Sequence, residues 1–536
     1  MTARAITTTC AAVALSLLST SCGLIPGRGT GEDPPTDPAP SAEADATDHR
    51  DLPLTRQGRM FLENGNDPLL EVTFLRLQNN GEYLMLEVDH DVLEPIRAHG
   101  TVTDRTASPR MVDPVTGEVL DSIKDPETDL PLGTYFTEGS NVTPVHQGIP
   151  MRFRRYFPAP VHDAEYMTFT GSGLGHVPGL PVEYVEEFAP APEPNIHAYF
   201  NEYSERIVDE LPEDLYYPEA VPEPGTDVSA FRKSVEGFVD TPESSTTRAG
   251  DRATIALHAD RMFDVDAAEP TEEAVATLLR AAHTLRENPG PAEITVIGHT
   301  DTRGTDAHNR ELSLRRAEAV RDLLERELGE DFTFSVEGRG ADEPVAEEGG
   351  GDDEEARARN RRVEFEYTVP DITAGEGGAD GEGLDSAARH VAEPAAFVDE
   401  PEAYTTVTHD DVDLNVYPLV RDGAYLFQPV GFQNSTLADL EADLDAEDAL
   451  LPGGPDRYEE GTLGGFRLIE PGDGSTRYVV RIVTGEGYED FADEVLTLAP
   501  GEEYLALAVF PAPGEDVTSM TLHAGAFGEI PDVPIV

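Results

Sequence analysis

Ile294–Val320 reads I-T-V-I-G-H-T-D-T-R-G-T-D-A-H-N-R-E-L-S-L-R-R-A-E-A-V. Ile294, Val296 and Ile297 are apolar and β-branched, which predicts a strand. Gly298 and Gly304 bracket a polar turn. Ala317, Val320 and Leu324 then recur at three- and four-residue steps, the period of a helix with one buried face. Gly329 supplies the stop. A strand that runs through a polar loop into a helix start is a usual ligand site in α/β folds.

Outward from this stretch, strands are predicted at Thr254–Leu257, Phe332–Val336 and Arg362–Tyr367, and helices at Glu269–Glu287 and about Asn309–Leu328. Val363, Phe365 and Tyr367 alternate with charges, as in a half-buried strand. Pro270 suits the first turn of its helix. The sum is a βαβαββ layer with helices on one small mixed sheet. Glu347–Glu355 (E-E-G-G-G-D-D-E-E) interrupts it as an acidic loop.

The G-H-T-D-x-x-G core, Asn309, the L-S-L-R-R-A run and Asn360–Glu364 (N-R-R-V-E) resemble, in order, the OmpA-like domain of bacterial envelope proteins. Met262-Phe263-Asp264-Val265-Asp266 stands at that family's opening strand. The resemblance covers Thr254–Tyr367, roughly a quarter of the chain, and implies non-covalent peptidoglycan binding. It places Asp301 and Arg316 at the two principal binding positions. Asp301 would take the ammonium of the stem-peptide diamino acid. Arg316 would take a carboxylate, which its planar fork matches. Asn309 and Arg361 stand at further contact positions, and Asp264 and Asp266 at the pocket rim. Ala267-Ala268-Glu269 follows where the family often has asparagine or lysine. Read from the residues alone, Asp301 and Arg316 could form a structural ion pair, Asn309 a helix N-cap, and Arg361 a pair with the acidic loop. His299 reads as a packing residue, with no cysteine or serine at base spacing.

The chain has 536 residues, too many for one ordinary domain and enough for roughly three. Its formal net charge is −67, with Lys124 and Lys233 the only lysines. Such a polyanion repels nucleic acid. The acids are spread along the chain rather than set at ligand spacing, so a solvated surface explains them better than metal binding. Neither a catalytic motif nor a zinc set is present, and no cofactor is expected.

Residues 1–22 read as a secretory signal: Arg4, a short apolar run Cys10–Leu18, then Leu18-Ser19-Thr20-Ser21-Cys22. That ending resembles a lipoprotein processing site, which implies acylation of Cys22 and a membrane anchor. Cys10 would leave with the signal. Residues 23–50, rich in Pro, Gly and Asp, are a tether.

Residues 51–184 show strand alternation around Asn80-Gly81, a hairpin signal. Residues 398–536 repeat the design. Phe157-Pro158-Ala159-Pro160 returns as Phe510-Pro511-Ala512-Pro513, Met167-Thr168 as Met520-Thr521, and Leu70–Gly81 aligns with Val412–Gly423. Two homologous antiparallel β-sandwiches of immunoglobulin-like type are therefore expected to flank the central domain at 251–370. Linkers are expected at 185–250, with a short helix over 195–211, and at 371–397. The expected protein is a non-enzymatic lipoprotein of the cell envelope. It would sit on the outer membrane if the host has one, otherwise on the outer face of the cytoplasmic membrane. Its partners would be peptidoglycan, the membrane through its lipid, and an envelope protein held by the sandwiches. An interaction protein whose central domain has lost wall binding, and a wall hydrolase, are the alternatives.

Overall fold

The computed structural model describes residues 51–59, 68–94, 101–103, 109–134, 142–144, 147–171, 173–195, 214–264, 266–287, 293–346, 348–349, 353–368, 390–398, 402–441, 458, 462–472, 474–484, 487–491 and 497–536. All of them lie in one unit, 47–536. The signal with Cys10 and Cys22, the tether, the helix expected over 195–211 (apart from Asn195) and residues 371–389 of the second linker lie outside the described residues.

In the first flank, β1 (Leu54–Arg59), β2 (Leu69–Asn79), β3 (Tyr83–Val92), β4 (Arg110–Val112), β5 (Glu118–Asp121), β6 (Met151–Pro158), β7 (Tyr166–Gly171) and β8 (Gly175–Pro181) form two antiparallel layers. Their orders are β1–β2–β3–β6 and β8–β7–β4–β5. Leu70, Val72, Phe74, Phe157, Met111 and Phe169 fill the space between them. Asn80-Gly81 turns β2 into β3, with Gly81 at φ 87°.

The central region begins earlier than its composition implies. β9 (Arg232–Asp240) and β10 (Ser244–Ala249) form a hairpin that pairs onward with β11 (Arg252–His258). The linker expected over 185–250 is therefore strand from 232 on. Ser244-Ser245-Thr246-Thr247 looks like linker by polarity, yet threonine is at home in strands once both edges find partners.

Next come α1 (Glu272–Glu287), β12 (Glu293–His299), α2 (Asp306–Leu328), β13 (Thr333–Gly340), α3 (Asp353–Asn360) and β14 (Arg362–Thr368). The sheet runs β10–β11–β14–β12–β13. β12 and β13 are parallel, joined by α2, and the remaining neighbours are antiparallel. Both helices cover one face: Leu278, Ala282 and Leu285 of α1, and Ala317, Val320 and Leu324 of α2, pack on Ile255, Leu257, Ile294, Val296, Val363 and Phe365. Burying each of the leucine, isoleucine, valine and phenylalanine side chains contributes about 1.5–3 kcal/mol.

Three local expectations need correction. α1 starts at Glu272, and Pro270 instead bridges to Phe263 ahead of it. α2 starts at Asp306 behind the N-cap Thr305, whose hydroxyl accepts from the His308 N–H, so Asn309 is not the cap. The segment read as an acidic loop becomes helix at Asp353, because E-E-A-R-A-R favours helix once past the glycines.

The second flank has β15 (Thr405–His409), β16 (Val412–Val416), β17 (Tyr425–Asn434), β18 (Arg467–Ile469), β19 (Thr476–Tyr478), β20 (Arg481–Val483), β21 (Glu503–Pro511), β22 (Ser519–His523) and β23 (Glu529–Pro534). The orders β15–β16–β17–β21 and β23–β22–β18–β19 repeat those of the first flank. The hairpin strand β9 pairs with β5 on one side and with β19 and β20 on the other. Val112, Val119, Val235, Phe427, Val480 and Val509 pack together where the flanks meet. Of the linker expected at 371–397, Val391 is buried in the central core and Phe397 in that of the first flank. The described end of that segment is docked chain.

Candidate functional site

β12 delivers His299, Thr300 and Asp301 to the mouth of the helix-bearing layer. Gly304, at φ 108°, makes the reversal that a side-chain-bearing residue resists, and Thr305 opens α2. Asn309 and Arg316 then lie two turns apart on the buried side of α2.

Asp301 is buried, and its carboxylate is not paired with Arg316. Its Oδ2 accepts from Arg303 Nη2 at 2.7 Å and Nε at 3.0 Å, and from Arg361 Nη1 at 2.6 Å. Its Oδ1 accepts the Arg303 backbone N–H at 3.0 Å. Burial pushes the Asp301 carboxyl up, but these arginine contacts outweigh it and hold it below its ordinary value. Asn309 Nδ2 donates to the Asp301 carbonyl at 3.2 Å, which fixes the loop on the helix.

Arg361 spans three carboxylates. Beyond Asp301, it donates to both oxygens of Asp260 and to Glu354 of α3. These bonds, that to Asp260 first, raise its guanidinium above the ordinary value. The pairing with the acidic segment expected of Arg361 is thus present, together with a direct grip on Asp301.

Arg316 is held differently. Its Nε donates to the Ala267 carbonyl at 3.0 Å, and its guanidinium lies 5.0 Å over the Phe263 ring. Among the described residues neither Nη has a hydrogen-bond or ion-pair partner. Burial lowers its affinity for the proton, against the pull of Asp260 and Asp266. Asp264 is exposed, and its carbonyl accepts the Ala267 N–H, building the turn that presents Ala267 to Arg316. Asp266, at φ 59°, lies 3.5 Å from His308 Nε2.

The structure therefore brings Asp301, Asn309 and Arg361 into one bonded group. Arg316 stands beside Phe263 and Ala267, and Asp264 contributes backbone. His299 is buried, with Nε2 3.4 Å from Glu364. Burial raises the Glu364 carboxyl, but His299 and Arg362 override this and hold it at about 2.

Sequence reasoning missed Arg303, Asp260 and Glu348. Arg303 was in view in T-D-T-R-G. Glu348, inside the acidic run, accepts from the Thr302 and Asn360 side chains and steadies the loop that carries Asp301. Chemically, the site offers a fixed carboxylate and a guanidinium with open donors. That arrangement suits a zwitterion bearing an ammonium and a carboxylate. Among the described residues no group of three His, Cys, Asp or Glu is placed to hold a metal, and no helix is long and apolar enough to cross a membrane.

Residues 262–361 match the OmpA family model. Outer membrane porin F of Pseudomonas aeruginosa is 37% identical over 156 residues, which is 27% of this chain and 43% of the porin. The peptidoglycan-associated lipoprotein of Legionella pneumophila is 37% identical over 86 residues, 16% of this chain and 47% of that protein. The chain thus spans less than half the length of either relative. Among solved structures, the cell wall anchor of the T6SS from Pseudomonas aeruginosa is 36% identical, covering 24% of this chain and 89% of that one, with a TM-score of 0.22. The motif order, the βα layer and the family match agree: residues 262–361 of this chain are an OmpA family domain.

Proposed function

We propose that this chain is a non-enzymatic envelope protein whose OmpA domain binds peptidoglycan. Asp301 receives the ammonium of the stem-peptide diamino acid and Arg316 its carboxylate. The observation that carries this reading is the open pair of Arg316 Nη groups, set by Phe263 and Ala267 at the head of the layer that holds Asp301. Oδ1 of Asp301 has a second lone pair for a ligand donor, since among the described residues only the Arg303 N–H reaches it. Asn309 and Arg361 position Asp301, and Asp264 shapes the rim. The names of the relatives, porins and peptidoglycan-associated lipoproteins, support an envelope location. Acylated Cys22 would tether the chain to a membrane, and the flanks, a duplicated immunoglobulin-like pair, would space the wall domain or hold an envelope partner.

The test is retention on purified sacculi at physiological salt. Each of Asp301→Ala and Arg316→Ala removes a charge-assisted contact and is expected to weaken retention roughly tenfold or more. Equal retention of wild type and the double variant sinks the reading. In whole cells, Cys22→Ala is expected to leave the membrane fraction, and an unchanged fractionation removes the anchor.

A second reading has a specific observation behind it. Asp301 Oδ2 is already filled by Arg303 and Arg361, which is how a domain that has abandoned its ligand would neutralise the carboxylate. Wild-type retention no better than that of the double variant favours it.

A further inference from the structure

The helix-free face of the central sheet carries a cavity of about 330 Å3. This is at the lower end of the roughly 300–1,000 Å3 range of small-molecule sites. The register makes its floor. Asp240 of β9 lies opposite Ser245, Ser245 opposite Ala256, and Ala256 opposite Glu364. In the adjacent row Thr247 lies opposite Thr254, and Thr254 opposite Glu366. Facing partners share one side of a sheet, and successive side chains alternate. Both rows therefore point away from the helices, and Ala256 leaves depth between polar neighbours. An ordinary two-layer α/β domain leaves such a face open to water. Here the segment 339–345 and Arg359 wall it, and the β9–β10 hairpin, which lies outside the 262–361 family match, closes the near side.

The charges in the cavity are unequally satisfied. Arg339 is spent on Glu337 and Glu343, at 3.0 and 2.6 Å. Arg362 is spent on Glu364 and on the carbonyls of Asn360 and Glu343. Asp240 Oδ1, by contrast, is buried with no hydrogen-bond partner among the described residues, and His258 Nε2 lies 3.8 Å away, beyond hydrogen-bonding distance. Burial pushes the Asp240 carboxyl up, with His258 and Arg359 opposing. Among the described residues Glu366 makes no side-chain hydrogen bond or ion pair, and the hydroxyls of Ser245, Thr247 and Thr254 have no protein partner. A buried acceptor without a donor is costly. The cavity therefore has acceptors in excess on its floor, while two of its walling arginines are already matched.

We propose that this cavity is a second binding site, separate from the Asp301 site, for a small organic cation: a primary ammonium or guanidinium compound of amino-acid size. The ligand donates to Asp240 Oδ1 and Glu366, and its stem lies along the threonine row. The site depends on the hairpin, so it belongs to this chain and not to the family domain alone. It stands whether or not the OmpA domain binds peptidoglycan.

Isothermal titration of the full-length protein with agmatine, which carries both cationic groups and no carboxylate, tests it. The titration is run at physiological salt, where the Debye length of about 8 Å screens long-range attraction to the acidic surface. Saturable binding is expected, weakened roughly tenfold or more by Asp240→Asn and separately by Glu366→Gln. Asp301→Asn should leave it unchanged. Acetate should not bind. Four outcomes overturn the proposal: no saturable binding, wild-type affinity in both cavity variants, loss only in Asp301→Asn, or acetate binding in agmatine's place. Glu366 is only half-buried, so its variant still decides the matter if Asp240→Asn does not fold.

Discussion

Gly298→Ala is expected to lower stability by about 3 kcal/mol or more, at the upper end of what overpacking costs, and to disturb the Asp301 site as well. A Cβ on residue 298 would lie 2.1 Å from the Ser313 carbonyl oxygen, 2.7 Å from its carbon and 3.1 Å from its Cα. All three are backbone atoms of α2, so no side chain can rotate away. The whole helix would have to step back from β12. It is pinned at that point, because Ser313 Oγ donates to the Arg310 carbonyl and accepts the Gly340 N–H, each at 3.0 Å. Asn309 and Arg316 sit about one turn to either side of Ser313 on the same helix, so a displacement moves both. Urea unfolding and sacculus retention read the two effects together. A midpoint within the error of wild type would show that α2 can retreat from the sheet without cost.

That contact also shows what the sequence could reveal. The strand, the turn and the helix of 294–320 are written in local periods, and Val363, Phe365 and Tyr367 mark the core face of β14 by alternation alone. Asp301, Asn309 and Arg316 could be singled out because the motifs that carry them resemble those of the OmpA-like domain; the residues alone left an ion pair and a helix cap open. The grip of Arg361 on Asp301 was only partly so. It arises because β14 runs antiparallel to β12, with Val363 opposite Gly298, which sets the start of one strand beside the end of the other. Arg303 was missed for a different reason: a loop arginine two residues from an aspartate can face either way, and only the turn decides. The β9–β10 hairpin was hidden by its polarity. Its partners at 476–483 are more than two hundred residues away, and a window of sequence cannot see them. Val391 and Phe397 were hidden by the Gly- and Ala-rich sequence before them, though each is buried in a core.

The same hairpin supplies the other large effect. Arg481→Met is expected to cost about 3–5 kcal/mol, the usual consequence of removing one partner of a buried ion pair. Glu236 of β9 lies directly opposite Arg481 of β20. Arg481 Nη2 donates to Glu236 Oε2 at 2.9 Å, with 5% and 9% of the two side chains exposed. The guanidinium lies 3.9 Å over Tyr488 and 5.1 Å over Phe238, so the cation is held by ring faces as well as by the carboxylate. Methionine keeps much of the volume and the ring contacts but leaves the Glu236 carboxylate short of its cation in a site nearly closed to water. The Tyr488 hydroxyl, 3.4 Å from Oε1, is too weak a donor to make up the difference. Replacing both partners, Glu236→Leu with Arg481→Met, removes the charge along with its need. The double variant should therefore be more stable than the single one, since apolar replacement of a buried pair is often neutral or better. Chemical denaturation of the wild type, the two singles and the double gives the coupling directly. A single-variant cost below about 1 kcal/mol, the range of an exposed pair, would mean that water reaches this joint and that β9 is not the strand holding the second flank to the central domain.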